Sequence, residues 1–185
     1  MAGAELSNTA YVILGFLARE PKSGYEIKQA VDNSTRFFWA ASYGQIYPEL
    51  RRLEAAGLVE SERDDSGGRK RTIHKPTAAG RRALREWLAE PAATAELRDE
   101  KLLKLFFSDA AGAKAPATAT TSLEARAAEH REVAEHLRSL EPLVLAGGLP
   151  GKLAVLRYGI EFNEWGARYC ERVAAEIANE REETA

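Results

Sequence analysis

The stretch "SYGQIYPELRRLEAAGLVES", residues 42–61, has the spacing of an amphipathic helix but holds a glycine and a proline in its first turns. Ser42 and Gln45 stand three residues apart, as in a capping box, so the helix is predicted to begin at Tyr43. Gly57 is the kind of residue at which a helix stops. The segment therefore predicts one helix of about thirteen residues.

The two faces of this predicted helix have different chemistry. Ile46, Leu50 and Leu53 share one side and predict a core face. Pro48 costs up to ~3 kcal/mol inside a helix, so stability alone does not favour it. The opposite side is small, basic and amide-bearing, which suits a DNA groove. A core helix with a tolerated proline is the alternative from this segment alone. The predicted DNA contacts are Tyr43, Gly44, Gln45, Tyr47, Pro48, Arg51 and Arg52.

The surrounding segments favour the DNA interpretation. "TAYVILGFLAREP" and "SGYEIKQAVDNS" predict two earlier helices, the first capped by Ser7 or Asn8 and the second by a capping box from Ser23 to Glu26. "LVESERD" and "RTIHKPT" predict two strands around a glycine-containing turn, and "TAAGRRALREWLAE" predicts a further helix. This order is that of a winged helix-turn-helix, in which the third helix reads DNA and the hairpin is the wing.

The predicted wing is strongly basic. Residues 63–85 hold eight basic and two acidic side chains, so 8 minus 2 gives +6. A concentrated positive charge of this kind indicates a polyanion site, although a solvated surface is the alternative for any charge run. The predicted wing contacts are Arg69, Lys70 and Arg71.

These motifs together resemble the PadR-like transcriptional regulators. The resemblance covers residues 7–90 and is carried by "GYEI", by a "Y-P-x-L-x-x-L-E-x-x-G-L" pattern and by the "T-x-x-G" of Thr77 and Gly80. It implies a dimeric repressor with a helical C-terminal dimerisation domain in the longer members. His74 and Pro76 depart from the family's second wing strand. Pro76 is expected to shorten that strand or to place it at an edge.

Composition and charge are those of a globular regulator with two different halves. Of 185 residues, 45% are hydrophobic and 29% are charged. Residues 1–89 have 14 basic and 11 acidic side chains, net +3, whereas residues 90–185 have 12 and 17, net −5. The boundary is predicted at a proline and alanine joint, giving a DNA-binding domain at 1–90 and a helical domain at 91–185.

No segment predicts export or a membrane span. The longest early apolar run, "AYVILGFLA", is too short for a span and has no basic residue before it, so a cytoplasmic protein is expected. The single cysteine, Cys170, lies in a helical stretch and is expected to be a buried or half-buried thiol.

The second half predicts a helical domain. "RDEKLLKLFFSD" is predicted as a short helix, "AAGAKAPATATTS" (110–122) as an exposed low-complexity break, and 123–140 as a helix. "AGGLPG" is predicted to turn the chain into a long final helix from Leu149. The predicted fold is thus mainly α with a small β-hairpin wing, comprising a winged helix-turn-helix and an α-helical dimerisation domain.

The final helix carries more apolar surface than one partner helix can cover. Two adjacent stripes run along it, and burial against a second copy of the chain is the predicted explanation. Packing within a single chain is the alternative. The predicted dimer interface consists of Leu153, Leu156, Tyr158, Ile160, Phe162, Trp165, Tyr169 and Val173.

A small effector is predicted near the joint between the two halves. Trp87 ends the helix after the wing, and Leu102 and Phe106 lie just beyond the joint. Aromatic and aliphatic side chains at such a boundary suit a small hydrophobic or aromatic ligand, although solid core is the alternative.

The sequence contains little that supports an enzyme or a metal-binding protein. Glu132 and His136 share a helix face but lack a third and fourth metal ligand, and no phosphate loop or nucleophile elbow is present. No enzyme, metal or cofactor is therefore expected. The function expected is a sequence-specific homodimeric repressor of operator DNA, relieved by its effector. The alternative is a winged-helix module that binds proteins without reading DNA.

Overall fold

The computed structural model describes residues 6–64, 71–92 and 98–183. The chain divides into two compact units, Met1–Thr94 and Ala95–Ala185. The architecture is mainly helical with one small antiparallel sheet, as the sequence predicts. Within the described ranges, every helix is too short or too polar to cross a membrane.

The first unit has the predicted order of elements, with one additional short strand before the second helix. Its elements are α1 (Asn8–Leu17), β1 (Lys22–Ser23), α2 (Gly24–Asp32), a 3₁₀ turn (Thr35–Phe37), α3 (Tyr43–Ala55), β2 (Val59–Asp64), β3 (Arg71–Pro76) and α4 (Ala78–Ala89).

The helices begin where polar side chains can satisfy their free backbone groups. Ser7 Oγ accepts from the N–H of Ala10 at 3.1 Å, so Ser7 and not Asn8 caps α1. Ser23 and Glu26 form the predicted capping box at α2, with the Ser23 N–H donating to Glu26 Oε2 at 2.7 Å. Each cap satisfies a donor that would otherwise be unpaired.

The core of the first unit joins the apolar faces of α1, α2 and α3. Ile46 and Leu53 of α3 are fully buried and Leu50 is nearly so, which confirms the predicted core face of that helix. These side chains pack in one cluster with residues of the two preceding helices and of β2. The remaining buried members of this cluster are Ala10, Ile13, Leu14, Leu17, Ile27, Val31, Ala41 and Val59.

The sheet has the strand order β1-β3-β2, so β3 is central. Pro76 is the last residue of β3 and pairs with Val59, beyond the two residues that pair with β1. The strand therefore ends at Pro76, but it does not lie at the sheet edge. Because Thr77 N–H donates to Leu58 O at 3.0 Å, the neighbouring pair at Pro76 needs no hydrogen bond from the proline nitrogen.

The Thr77 and Gly80 motif fixes the start of α4 against the end of α3. Thr77 Oγ1 donates to Gly57 O at 2.8 Å and accepts from the N–H of Gly80 at 3.1 Å. A Cβ at Gly80 would lie 2.1 Å from Leu58 O, closer than atoms can approach. Arg81 Nη1 also donates to Ala18 O at 3.0 Å, so the first turn of α4 is tied to α1 as well.

The second unit is a helical hairpin with short elements before it. It contains α5 (Glu100–Phe106), a 3₁₀ segment (Ser108–Lys114), α6 (Ala115–Ala146) and α7 (Pro150–Glu183). The turn between α6 and α7 includes Gly148 at a φ of 62°, where glycine is favoured.

The predicted exposed break at 110–122 is wrong, because α6 begins at Ala115 and Ala119 is only 5% exposed. Pro116 lies in the first turn, where a helix needs no backbone donor, and alanine is the strongest helix former. Thr120 also bonds back to Pro116 O at 2.9 Å. A composition of alanine and threonine is thus compatible with a loop or a helix, and the structure has the helix.

Two apolar clusters hold α6 against α7. Leu123 and Ala127 pack with Cys170 and Ala174, whereas Leu137 packs with Leu156 and Ile160. Glycines on α7 allow close approach where the helices meet. A Cβ at Gly159 would lie 2.9 Å from Leu137 Cδ1, and one at Gly166 would lie 2.8 Å from His130 Nε2.

Candidate nucleic-acid interface

The exposed side of α3 carries the predicted DNA contacts. Its capping box is present, since the Ser42 N–H donates to Gln45 Oε1 at 2.9 Å. This bond occupies the Gln45 oxygen, so the amide nitrogen is the group that can reach outward. The helix ends as predicted, because Gly57 has a φ of 68° and Leu58 N–H donates to Leu53 O.

Two tyrosines line the start of this face. Tyr43 and Tyr47 are 44% and 42% exposed, with their rings stacked at a centroid distance of 6.1 Å. Lys28 of α2 lies over the Tyr43 ring, its Nζ 5.5 Å from the centroid. A Cβ at Gly24 would lie 2.6 Å from Tyr47 Cε1, so the Tyr47 ring can pack at this point only because residue 24 has no side chain.

The arginine pair of α3 has two different environments. Arg51 and Arg52 are both exposed. Among the described residues Arg51 has no ion pair, whereas Arg52 Nη1 lies 3.2 Å from Glu49 Oε2. Sequence analysis did not single out Glu49, which is only 7% exposed. Its place on the helical wheel, 40° from Leu53, was the available signal.

The two wing strands, β2 and β3, are joined to each other and to α2 at the first residue of β3. Arg71 Nε donates to Asp64 Oδ2 at 2.7 Å, and Arg71 Nη1 lies 3.5 Å from Glu26 Oε1. The hydrogen bond to Asp64 raises the pKa of Arg71. Arg71 therefore already has carboxylate partners. The predicted contacts Arg69 and Lys70 lie outside the described residues.

The positive charge of residues 63–85 is partly neutralised by carboxylates that lie outside this range of the sequence. Lys75 Nζ lies 3.6 Å from Glu60 Oε1, and Arg82 Nε lies 4.0 Å from Glu86 Oε1. Glu60 is on the neighbouring strand at the paired position, so only the sheet register brings it beside Lys75. The described surface of the wing strands and of α4 therefore carries both signs of charge.

His74 connects the wing to α3. The residue is 7% exposed, and its Nδ1 lies 3.0 Å from Glu54 Oε1. This pair joins β3 to the last turn of α3, so the two parts of the predicted DNA surface are held together by a side-chain contact as well as by the chain.

The stripes predicted for dimerisation lie on different sides of α7. Leu156 and Ile160 are buried against α6, Val173 is partly buried, and Leu153 is half-buried. The aromatic residues are exposed and form a ladder, in which Trp165 and Tyr169 stack with centroids 5.4 Å apart. The exposed fractions are 71% for Tyr158, 46% for Phe162, 56% for Trp165 and 42% for Tyr169.

The predicted effector residues are distributed over both units. Trp87 stacks on Tyr11 of α1, with ring centroids 4.5 Å apart and an angle of 7° between the planes. Leu102 and Phe106 of α5 are 42% and 77% exposed. The three residues were predicted as one group, but Trp87 belongs to the first unit and Leu102 and Phe106 belong to the second.

A groove in the second unit was not foreseen. It has a volume of about 560 Å³ and is lined by α5, α6 and α7, including His130, Val133 and Phe162. Leu102 and Phe106 are not among its lining residues. His130 Nδ1 donates to Asn163 Oδ1 at 2.8 Å, since the Asn163 amide nitrogen is used in bonding to Gly159 O. Across the described ranges, no three His, Cys, Asp or Glu side chains converge as a metal site.

The chain belongs to the PadR-like family of transcriptional regulators. Residues 13–86 match the model described as "Transcriptional regulator PadR-like family", and residues 97–178 match the model "Virulence activator alpha C-term". The two matched regions together extend over both units, and they confirm the family resemblance seen in the sequence.

Relatives and solved structures are similar in sequence and in fold. The negative transcriptional regulator PadR of Bacillus subtilis is 32% identical over 99 residues, 52% of this chain and 54% of that protein. A probable transcriptional regulator of Mycobacterium tuberculosis is 26% identical, covering 92% of this chain and 98% of its own length. The structure of Bacillus subtilis PadR with operator DNA has a TM-score of 0.81 at 24% identity, covering 91% and 96% of the chains. The same protein with p-coumaric acid has a TM-score of 0.74 at 24% identity, covering 91% and 98%. At this identity the structural likeness shows the fold.

Proposed function

We propose that this chain is a sequence-specific DNA-binding repressor that acts as a homodimer in the cytoplasm. In this proposal residues 1–90 form the DNA-binding domain and residues 91–185 the dimerisation domain. The observation that carries the proposal is the surface of α3, whose apolar face is fully used in the core while its tyrosines and arginines stay exposed. An exposed polar helix followed by a hairpin is the arrangement that winged helices present to DNA.

The chemistry of this surface suits the two kinds of contact that DNA offers. Arg51, Arg52 and the Gln45 amide nitrogen are groups that donate to base edges in the major groove. The hydroxyls of Tyr43 and Tyr47 suit phosphate or sugar contacts, which set the register of the helix. Gly44 and Pro48 add little bulk, so the backbone of α3 can come close to the groove. Arg69, Lys70 and Arg71 serve as wing contacts in the same proposal.

The exposed aromatic ladder of α7 supports a homodimer. Tyr158, Phe162, Trp165 and Tyr169 form a continuous row of exposed rings along α7. Such rows are typical of protein interfaces, and a dimer presents two reading helices to a palindromic operator. The interface predicted from the sequence contains these four residues together with Leu153, Leu156, Ile160 and Val173. Because Leu156 and Ile160 pack inside the chain, we centre the proposed contact on the four aromatic residues.

A small aromatic effector would relieve repression in this proposal. The support is the fold shared with a Bacillus protein whose structure holds p-coumaric acid, and the aromatic and aliphatic side chains at Trp87, Leu102 and Phe106. In this proposal the effector is a ligand and the protein acts by binding, and the match to a family of transcriptional regulators supports this.

The test is binding to duplex DNA from the promoter of the protein's own gene and from that of the adjacent gene. Binding is measured by fluorescence anisotropy at a series of salt concentrations. Affinity should fall steeply with salt, and alanine at Arg69 and Lys70 should flatten the slope by about one phosphate each. Arg51→Ala should cost roughly 1–3 kcal/mol on the operator and less on random DNA.

A random duplex of equal length is the control for specificity. The proposal would be contradicted if the protein did not bind DNA, or if its affinity depended on neither sequence nor salt. The alternative function would then be a winged-helix module that binds proteins. Equal losses on operator and random DNA for Arg51→Ala would make Arg51 a backbone contact instead of a base reader.

A further inference from the structure

Glu49 is a nearly buried carboxylate on the helix that is proposed to read DNA. The whole residue is 7% exposed, and both of its oxygens have partners. Ser7 Oγ, at the start of α1, donates to Glu49 Oε1 at 3.0 Å. Arg52 Nη1 donates to Glu49 Oε2 at 3.2 Å, from one turn further along α3. Glu49 thus connects the start of α1 to an exposed arginine.

Stability and electrostatics both disfavour a carboxylate at this position. Removing a carboxylate from water is costly, and an apolar side chain of similar volume is often at least as stable in such a place. A negative charge on a DNA-facing helix also repels phosphates. The adjacent core residues of α3, Ile46, Leu50 and Leu53, show that this side of the helix accepts apolar groups. The carboxylate therefore needs an explanation other than packing.

The Glu49 side chain is buried and the Arg52 side chain is exposed, so the carboxylate can hold the guanidinium in place. The Glu49 side chain is 9% exposed, whereas that of Arg52 is 77% exposed. Glu49 is fixed by its surroundings and by Ser7, so it can act as an anchor. A guanidinium has five N–H donors, and the bond to Glu49 leaves the others directed toward solvent. The pair therefore restricts the rotamers of Arg52 without consuming its capacity to bind.

Arg51 provides an internal comparison. It is the neighbouring arginine on the same helix, and with the described residues it forms no ion pair. Ordering a long side chain on binding costs free energy, and a side chain that is already ordered avoids that cost. Arg51 should therefore pay this entropy on binding DNA, whereas Arg52 should not.

We propose that Glu49 is a positioning residue, which holds the Arg52 guanidinium in the orientation that it uses on operator DNA. This inference rests on the proposed function, because it assigns a role within the DNA surface of α3. Glu49 itself does not touch DNA, and beyond the general repulsion between its charge and phosphate its effect on affinity passes through Arg52.

A double-mutant cycle tests this inference in the full chain. Operator affinity is measured for wild type, Glu49→Gln, Arg52→Ala and the double variant. Removal of a negative charge strengthens DNA binding in both backgrounds, so the informative quantity is the ratio of the two Glu49→Gln effects. We expect the change in operator affinity caused by Glu49→Gln to be about threefold to tenfold less favourable when residue 52 is arginine than when it is alanine. A ratio of one would overturn the inference.

Two further variants separate orientation from charge and from folding. Glu49→Asp keeps the charge but shortens the side chain, and it should lose operator affinity in the wild-type background and none in the Arg52→Ala background. The matched control repeats the cycle with Arg51→Ala, where the Glu49→Gln effect should be unchanged. A loss of operator affinity in Glu49→Asp that persists in the Arg52→Ala background would reveal a structural role and overturn the inference. A wild-type chain that binds no DNA would overturn the proposed function, and this inference with it.

Discussion

At the scale of single residues, two glycines should respond in opposite directions to the same substitution. A Cβ at Gly80 would lie 2.1 Å from Leu58 O, whereas a Cβ at Gly15 in α1 meets nothing within 4 Å. Gly80→Ala should therefore destabilise the fold by about 1–3 kcal/mol, because backbone must move. Gly15→Ala should stabilise it by about 0.5–1 kcal/mol, because alanine favours a helix. Urea denaturation followed by circular dichroism gives both values, and equal shifts would contradict the described approach of α4 to Leu58.

A second prediction for single residues concerns acid stability. Asp99 accepts two hydrogen bonds from Arg126, at 3.1 and 2.6 Å, and caps the start of α5. The hydrogen bond to Arg126 lowers the pKa of Asp99 from 3.8 to about 2. A carboxyl whose pKa is lower in the folded state stabilises the fold above its unfolded pKa. This stabilisation should be lost as the pH falls from about 4 to about 2.

Asp99→Asn keeps a side-chain acceptor for the α5 cap but removes the charge. It should cost about 1–2 kcal/mol at pH 7 and make stability less dependent on pH between 4 and 2. Glu100→Gln is the matched control, since Glu100 pairs with Lys104 in an exposed position where ion pairs contribute little. Denaturation midpoints over this pH range would measure both. An unchanged pH dependence in Asp99→Asn would show that the Arg126 pair is not the source of acid lability.

At the scale of elements, α7 has one face packed against α6 and another whose aromatic side chains stay exposed among the described residues. A charge introduced on the second face should prevent burial against a second copy, so Trp165→Glu is expected to yield a folded monomer. Ala175→Glu is the control, because Ala175 is exposed on the same helix but lies about 100° away from the aromatic row. Sedimentation velocity distinguishes the two results, and a Trp165→Glu dimer of wild-type affinity would exclude this face as the interface.

At the scale of the whole molecule, effector and operator should oppose each other. An inducer must bind the DNA-free form more tightly, and linkage then requires DNA to weaken inducer binding by the same factor, about 5–150-fold. A panel of planar aromatic compounds can be titrated by tryptophan fluorescence, with and without operator. Trp87→Phe is the diagnostic variant, and quenching that survives it unchanged would assign the signal to Trp39 or Trp165. Affinities that do not respond to operator would contradict the proposed switch.

The parts of the fold that sequence analysis predicted are those determined by neighbours along the chain. The capping boxes at Ser23 and Ser42 and the stop at Gly57 depend on residues within one or two turns, so their spacing predicts them. The order of helices and strands followed from these signals and from apolar spacing. The helical start of α6 was missed, because alanine and threonine composition alone does not show burial.

The parts of the candidate site that sequence analysis missed depend on contacts between distant segments. Glu49 meets Ser7 across 42 positions, and His74 meets Glu54 across 20. The two-residue strand β1 is visible only through its pairing with β3. A charge count also treats Arg71 as available, whereas the fold places two carboxylates beside it. Sequence alone therefore predicted which surface would be polar, and the structure shows which of its groups are already paired.

The single buried cysteine makes this chain well suited to site-selective labelling. Cys170 is 3% exposed in the contact between α6 and α7, and burial raises the pKa of its thiol, so the reactive thiolate is scarce at neutral pH. A new cysteine at an exposed position such as Glu60 of the wing would be the dominant reactive group for a nitroxide reagent. Two such spin labels in a homodimer would report the separation of its wings by pulsed electron resonance. Their distance distribution, recorded with and without operator, would show whether operator DNA changes the separation of the two wings.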